Sequence, residues 1–446
     1  MQRQCGRYAT NFAALHKVGL DVTNTAMALL PEPLRIPSFR AFWVARLAAT
    51  IAQMAMVIVI GWQVYDIARE TMDVKAAALR LGLIGVVQFV PLFALSLVAG
   101  WTADHVDRRW VGRGAVALEL VCAAALAITA WTESTSLPIL YAVAALLGVA
   151  RAFAGPSLGA LAPNLVPKEI LPNAIALSSI AWQTGTIIGP AVGGYLYAWS
   201  PAAPYEASMV LFGLSLICLF LIGPVPRPEQ SRKGGPWSQI GEGLRYVRQN
   251  KLVLGAISLD LFAVLLGGAT AMLPIFARDV LHTGPEGLGH LRAAPAVGAT
   301  LTAAWFAFRP LKTNVGVKML TAVGVFGAAT IVFGLSRNMT LSLVCLFLLG
   351  AADMLSVYVR QSLIQLYTPD AMRGRVGAVS TLFISASNEL GEAESGFLAA
   401  LVGPVVAVVG GGIGAIAVVL IWARIFPELR NARTFDAPVD PALKES

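Results

Sequence analysis

Long apolar runs alternate with short polar breaks along the chain, and the breaks predict twelve membrane-spanning segments. They fall near 41–67, 79–101, 111–132, 138–161, 174–197, 205–223, 252–277, 287–308, 315–336, 340–363, 374–402 and 404–426. Each is long enough to cross about 30 Å of hydrocarbon at about 1.5 Å per residue. In lipid every backbone polar group must be satisfied internally, so runs of this length predict helices and an all-α membrane fold. The pattern divides into an N-terminal segment (1–38), a six-helix bundle (39–223), a linker (224–251), a second six-helix bundle (252–426) and a tail (427–446). The linker opens Gly-Pro-Val-Pro-Arg-Pro and carries an amphipathic surface helix around 240–247.

The two predicted bundles also read as copies. Sliding the second half onto the first so that Leu349 meets Leu147 also pairs Gly350 with Gly148 and Pro369 with Pro167. The same shift pairs Ala378 with Ala176, Ser380 with Ser178, Gly391 with Gly189 and Gly396 with Gly194. A transporter built from two related bundles shows such a repeat and places its site between them near mid-membrane.

Composition agrees with a lipid solvent. The chain of 446 residues is 57% hydrophobic and 13% charged, with a mean hydropathy of +0.70, whereas a soluble domain carries about 25% charge. The formal net charge is +8, but the basic residues form no single patch, so no nucleic-acid partner is implied. Most of the 33 Lys and Arg fall on the side of the termini. Only Arg69, Lys75, Arg80, Arg278, Arg292 and Arg337 fall on the other, and Arg46, Arg151 and Arg360 lie inside spans. Cytoplasmic loops retain Lys and Arg, so both termini are expected in the cytoplasm. Cys5, Cys122, Cys218 and Cys345 are far apart and read as small hydrophobes, and no metal or cofactor is expected. No removable signal peptide is evident, and the residues before Met27 read as dispensable.

Charged and glycine-rich constellations supply the candidate chemistry. Gly100-Trp-Thr-Ala-Asp104-His105-Val-Asp107-Arg108-Arg109 breaks two apolar runs and must lie at a membrane face. In the fifth span Gly185, Gly189 and Gly193 recur every four residues, with Pro190 and Gly194 beside them, leaving a groove for a second backbone. Arg151 sits near the centre of the fourth span, where a cation is costly unless it meets water or a partner. The repeat puts Asp353 of the tenth span in the matching position; local pairing of Asp353 with Arg360 is the alternative. In the eleventh span Ser385, Asn388, Glu389 and Glu392 share one helix stripe. Desolvation and mutual repulsion favour the protonated form of such acids, making Glu389 or Glu392 a candidate proton carrier; ties to the backbone or to a second-half arginine are the alternative. Asp260 in the seventh span is a further candidate, Glu119 and Arg46 weaker ones.

The opening loop resembles that of major facilitator transporters, Gly-x-x-x-Asp-Arg/Lys-x-Gly-Arg-Arg/Lys. Gly100, Asp104, Arg108 and Arg109 match, while His105 and Asp107 depart from it. The string Gly185-x-x-x-Gly189-Pro190-x-x-Gly193-Gly194 resembles the antiporter signature of the superfamily's exporters. Gly61-Trp-Gln-Val-Tyr-Asp66, Ser258-Leu-Asp260 through Pro274, and Ser387-Asn-Glu-Leu-Gly-Glu-Ala-Glu-Ser-Gly396 resemble its enterobactin-exporter-like branch. The resemblance implies a bacterial inner-membrane exporter driven by the proton gradient, with siderophores, drugs or other amphipathic metabolites as cargo. It also implies a switch in which Asp104 binds the start of the eleventh span, where Arg373 and Arg375 lie to receive the loop's acids. The expected partners are therefore a small-molecule substrate, protons and the bilayer, with no obligate protein partner. A proton symporter or uniporter for uptake is the alternative within transport. A membrane-embedded enzyme or sensor scaffold is the alternative outside it, but no nucleophile, base or metal-ligand cluster, nucleotide loop or signalling domain supports it.

Overall fold

The computed structural model describes residues 31–224, 236–309, 311 and 313–435. Twelve long helices run antiparallel in sequence. The first half comprises α1 (Pro37–Thr71), α2 (Val74–His105), α3 (Arg108–Trp131), α4 (Leu137–Leu161), α5 (Leu171–Trp199) and α6 (Ala203–Phe220). The second comprises α7 (Lys251–Leu266), α8 (Pro285–Phe308), α9 (Val315–Leu335), α10 (Met339–Tyr367), α11 (Asp370–Val402) and α12 (Pro404–Ile425). A separate linker helix, Pro236–Gln249, precedes α7. Ten of the long helical segments are apolar enough to cross a membrane by length and composition. The other two, α8 and α11, carry ionisable residues within their runs, Arg292 in α8 and Glu389, Glu392 and Glu394 in α11.

Local chemistry sets the helix ends. Asp73, Asp107, Asn250 and Asn338 accept backbone N–H bonds in the first turns of α2, α3, α7 and α10, each satisfying a donor the helix cannot. Gly403 joins α11 to α12 alone, at φ 93°, a conformation that glycine enters without a Cβ clash. The expected ten-residue polar link after the second span is almost wholly helical. Helix α2 continues to His105, and only Val106 and Asp107 separate it from α3, because helical continuation keeps backbone groups paired up to the membrane face.

Helix α7 is interrupted. After Leu266, Gly267 and Gly268 lead into a tight turn over Ala269–Met272, a short helical piece Leu273–Ile275 and a wide π turn Phe276–Val280. The interruption frees backbone carbonyls within the membrane, and the Arg292 guanidinium donates to that of Thr270 at 2.9 Å.

The halves meet chiefly through α2 on α11 and α5 on α8, and the repeat explains this symmetry. Gly189 faces the backbone of α1 at Ile51, and its counterpart Gly391 faces that of α7 at Val264 and Leu265. Gly194 lies on Pro285 and Gly289 of α8, while its counterpart Gly396 lies on Gly82 of α2. A Cβ on Gly396 would stand 2.3 Å from the Gly82 Cα. Both inter-half crossings are thus backbone approaches that only glycine permits.

At the end away from the termini, polar contacts tie the halves together. Asp279 accepts from the Tyr65 hydroxyl and lies 3.4 Å from Arg69. Arg278 pairs with the Asp66 carboxylate and donates to its carbonyl at 3.1 Å. Lys75 donates to the Leu401 carbonyl at 3.0 Å, and Tyr195 bonds His290.

Gly396→Val is expected to force the halves apart at this latched end. Thiol labelling of an Ala78→Cys reporter, buried beside this crossing, in a cysteine-free background should rise severalfold; unchanged labelling would show that the glycine crossing does not set the closure.

Candidate functional site

Four ionisable residues from three helices come together inside the bundle. The Arg151 Nη2 of α4 lies 2.9 Å from the Glu389 Oε1 of α11, and its Nη1 donates to the Gln88 Oε1 of α2 at 3.0 Å. One turn along α11, the Glu392 Oε1 stands 3.8 Å from the Arg292 Nη2 of α8. Helix α11 therefore carries two acids on one stripe, each facing an arginine from a different half of the molecule. The Glu389 side chain is only 8% exposed, while those of Arg151, Arg292 and Glu392 are partly open.

Arg292 faces in two directions, holding the interrupted α7 through Thr270 and facing Glu392. A cavity of about 50 Å³ lies beside it, bounded by Gly61, Gln88, Thr270, Pro274, Arg292 and Glu392. That volume holds a few water molecules. The pocket at the junction of the halves is thus walled mainly by apolar residues such as Ile58, Leu81 and Leu273, with Gln88, Thr270, Arg292 and Glu392 as its polar members.

An arginine keeps its charge under all relevant conditions, so the variable partners here are the carboxylates. Protonating Glu389 would remove the charge that ties Arg151 to the second half, and protonating Glu392 would loosen its hold on Arg292.

Residues 29–440 match the family model described as transmembrane secretion effector. The chain belongs to that family of major facilitator transporters. It is 27% identical over 402 residues to the enterobactin exporter EntS of Escherichia coli O1:K1 / APEC, covering 89% of this chain and 94% of the relative. Among solved structures, a bacterial homologue of the human lysosomal transporter Spinster, inward-facing and occupied, aligns at a TM-score of 0.68 with 14% identity, over 90% of this chain and 99% of that one. The inward-open xylose transporter XylE from E. coli aligns at 0.65 with 13% identity, over 89% and 97%. These two share the fold. The secretion-effector chain is thus a multi-pass membrane transporter, and its charged cluster lies at the junction of the two halves.

The other sequence candidates have separate settings. Asp260 is buried and paired with Arg360 between α7 and α10 of one half, so Arg360 is not taken by Asp353. Asp353 is half-buried, with no ion-pair partner among the described residues, and Arg151 faces Glu389 instead. Asn388 is exposed on α11. Gly185, Gly189 and Gly193 form a seam against α1, at Thr50, Met54 and Ala55, and Pro190 lies inside α5 with its carbonyl near Gly289.

Around the opening loop, Asp107 caps α3 and binds Arg109, with 2.6 Å to Nη2. Arg109 and Arg113 also donate to carbonyls at the end of α6, closing that helix. The hydrogen bond from Arg109 holds the Asp107 carboxyl below the usual carboxylate range. Its contribution to stability is therefore complete above that range and is lost as pH falls through the lowered folded value. Arg108 is half-buried. Arg375 pairs at 2.6 Å with Glu242 of the linker helix. The side chains of Gly100, Asp104, Arg373 and Ser385, and the segment before Met27, lie outside the described residues.

Two site members escaped the sequence reading. Arg292 counted there among the charges of the far side, and Gln88 is an uncharged polar residue in an apolar run. The signal for Arg292 was its position one to two turns inside a predicted span that also faces an acidic one.

Replacing one member of the Asp260–Arg360 pair strands a buried charge, which costs about 3–5 kcal/mol. Asp260→Asn is expected to lower the thermal unfolding midpoint in detergent, and combining Asp260→Leu with Arg360→Met to recover most of the loss. An unchanged midpoint in the single variant would remove the pair from the fold's support.

Proposed function

We propose that this chain is a proton-coupled antiporter that exports a small amphipathic molecule, such as a siderophore or drug, across a bacterial cytoplasmic membrane by alternating access. The ion pair of Arg151 with Glu389 across the two halves carries this reading. A charge pair at mid-depth that links moving halves and contains a titratable partner is a means of making adhesion depend on a proton. The similarity to enterobactin exporters over most of both chains supports export and a siderophore-like cargo.

In this reading both termini face the cytoplasm, and the latched ends of α1 and α7 face the periplasm. The conformation is then the inward-facing one. Glu392 takes a periplasmic proton as cargo leaves and returns it inside, while Glu389 holds or releases Arg151. Asp260 and Asp353 flank this path from the second half, and the glycine seam of α5 confines leakage along the passage. The opening loop, with Gly100, Asp104, Asp107, Arg108 and Arg109, forms the switch together with Arg373 and Arg375. Glu242 occupies Arg375 in the present state and yields it to an acid of the loop when the cytoplasmic side closes.

Everted vesicles test the reading, with enterobactin and an amphipathic dye as probes. Acidifying the lumen should drive probe inward, and Glu392→Gln should cut that flux about 5–150-fold, the span of a coupling free energy of about 1–3 kcal/mol. Wild-type flux in the variant at matched membrane levels would refute the role of Glu392. Uptake that is indifferent to the gradient would refute antiport.

A further inference from the structure

One buried acid takes no part in the mechanism above. Glu119 of α3 is 3% exposed, and it has no hydrogen-bond or ion-pair partner among the described residues. Helix α3 packs on α4 and α6, with smaller contacts to α1 and α2. The charge that reaches Glu119 is that of Arg151 on α4, and the Cys122 thiol lies one turn along its own helix. No ionisable group of α1, α2 or α6 interacts with it among the described residues. At about 1.5 Å per residue, Glu119, Arg151 and Glu389 stand roughly 18, 21 and 20 Å from the latched ends of their helices. The three are therefore at one depth, with Arg151 between Glu119 of its own half and Glu389 of the other, and Glu392 with its partner Arg292 one turn further along α11.

We infer that Glu119 is a second seat for Arg151, so that the arginine passes from Glu389 to Glu119 when the halves part at this level. An isolated carboxylate in a low-dielectric interior is kept as the neutral acid, because the unpaired charge costs more than the proton. With Arg151 on Glu389, Glu119 therefore carries a proton. Once α4 and α11 separate, Arg151 turns back along α3, which moves with α4. Glu119 then releases its proton to form the ion pair, and Glu389, left without a cation, binds one. One proton leaves and one is gained, so this pair of acids moves no net proton, and the coupling proton of the proposed antiport is the one carried by Glu392. Arg151 is never left unpaired in the membrane, which gives the rocking motion a low barrier at its most costly charge.

The inference rests on the transport reading of the cluster, but its test needs neither cargo nor a gradient. Infrared spectra of the purified, cargo-free protein in lipid report protonated carboxyl groups by their carbonyl stretch, which deuterium exchange shifts. Glu119→Gln is expected to remove one component of that band. Glu389→Gln should remove the same component, because Arg151 then settles on Glu119 and deprotonates it. The double variant should show no further loss of that component. A component that survives Glu389→Gln would overturn the hand-over, as would a spectrum unaltered by Glu119→Gln. If the vesicle experiments show no proton coupling while these band changes hold, the antiport reading fails and the second seat stands.

Discussion

Charge in a medium that cannot solvate it is the constraint on which this molecule is organised. Arg151, Arg292 and Arg360 each lie well inside the helical bundle, and each has an acid opposite it. The third pair stays within one half and acts as a fixed strut. The first joins the halves, and the second holds an interrupted helix beside the joint. A cation that must always have a partner makes the choice of partner consequential, and Arg151 has partners that belong to both moving bodies. The same requirement that makes an unpaired charge expensive thus makes Arg151 a tie between the two halves.

Glycine supplies the complementary constraint. At Gly82 with Gly396 and at Gly194 with Gly289 the halves approach backbone to backbone. Such surfaces part and rejoin without rearranging side chains, since there are none to interlock. Polar contacts at the latched end then fix one of the possible tilts. These seams and charged ties lie beside an apolar core that is itself shared, since one buried cluster runs from Phe39, Tyr65 and Leu126 of the first half to Leu273, Phe276 and Phe333 of the second.

Much of the fold was legible in the sequence because lipid imposes a simple grammar: apolar runs of about twenty residues, polar breaks, and arginines and lysines sorted by side. The internal repeat was legible too, and its glycine matches become matching helix contacts in three dimensions. The site was only partly legible. The spacing of Glu389 and Glu392 showed that they share a stripe, and the cost of Arg151 showed that it needs a partner. The symmetry argument pointed to Asp353 for that partner, whereas the structure supplies Glu389, because α4 meets α11 at this depth and Asp353 stands on α10. Arg292 was hidden by the same sorting that revealed the topology: charge near a helix end looks like surface charge until its neighbours are known. The interruption in α7 was marked by Gly267 and Gly268 but could not be distinguished from packing glycines without seeing the carbonyl it frees.

The single-residue turn at Gly403 carries a mechanical consequence. It leaves almost no slack between α11, which bears the acids, and α12, whose Val406, Ile413, Leu420 and Ile425 are exposed on the outer surface. When α11 tilts, α12 must sweep its apolar flank through the surrounding acyl chains. In the alternating-access reading proposed above, the thickness and stiffness of the bilayer would therefore load that movement directly.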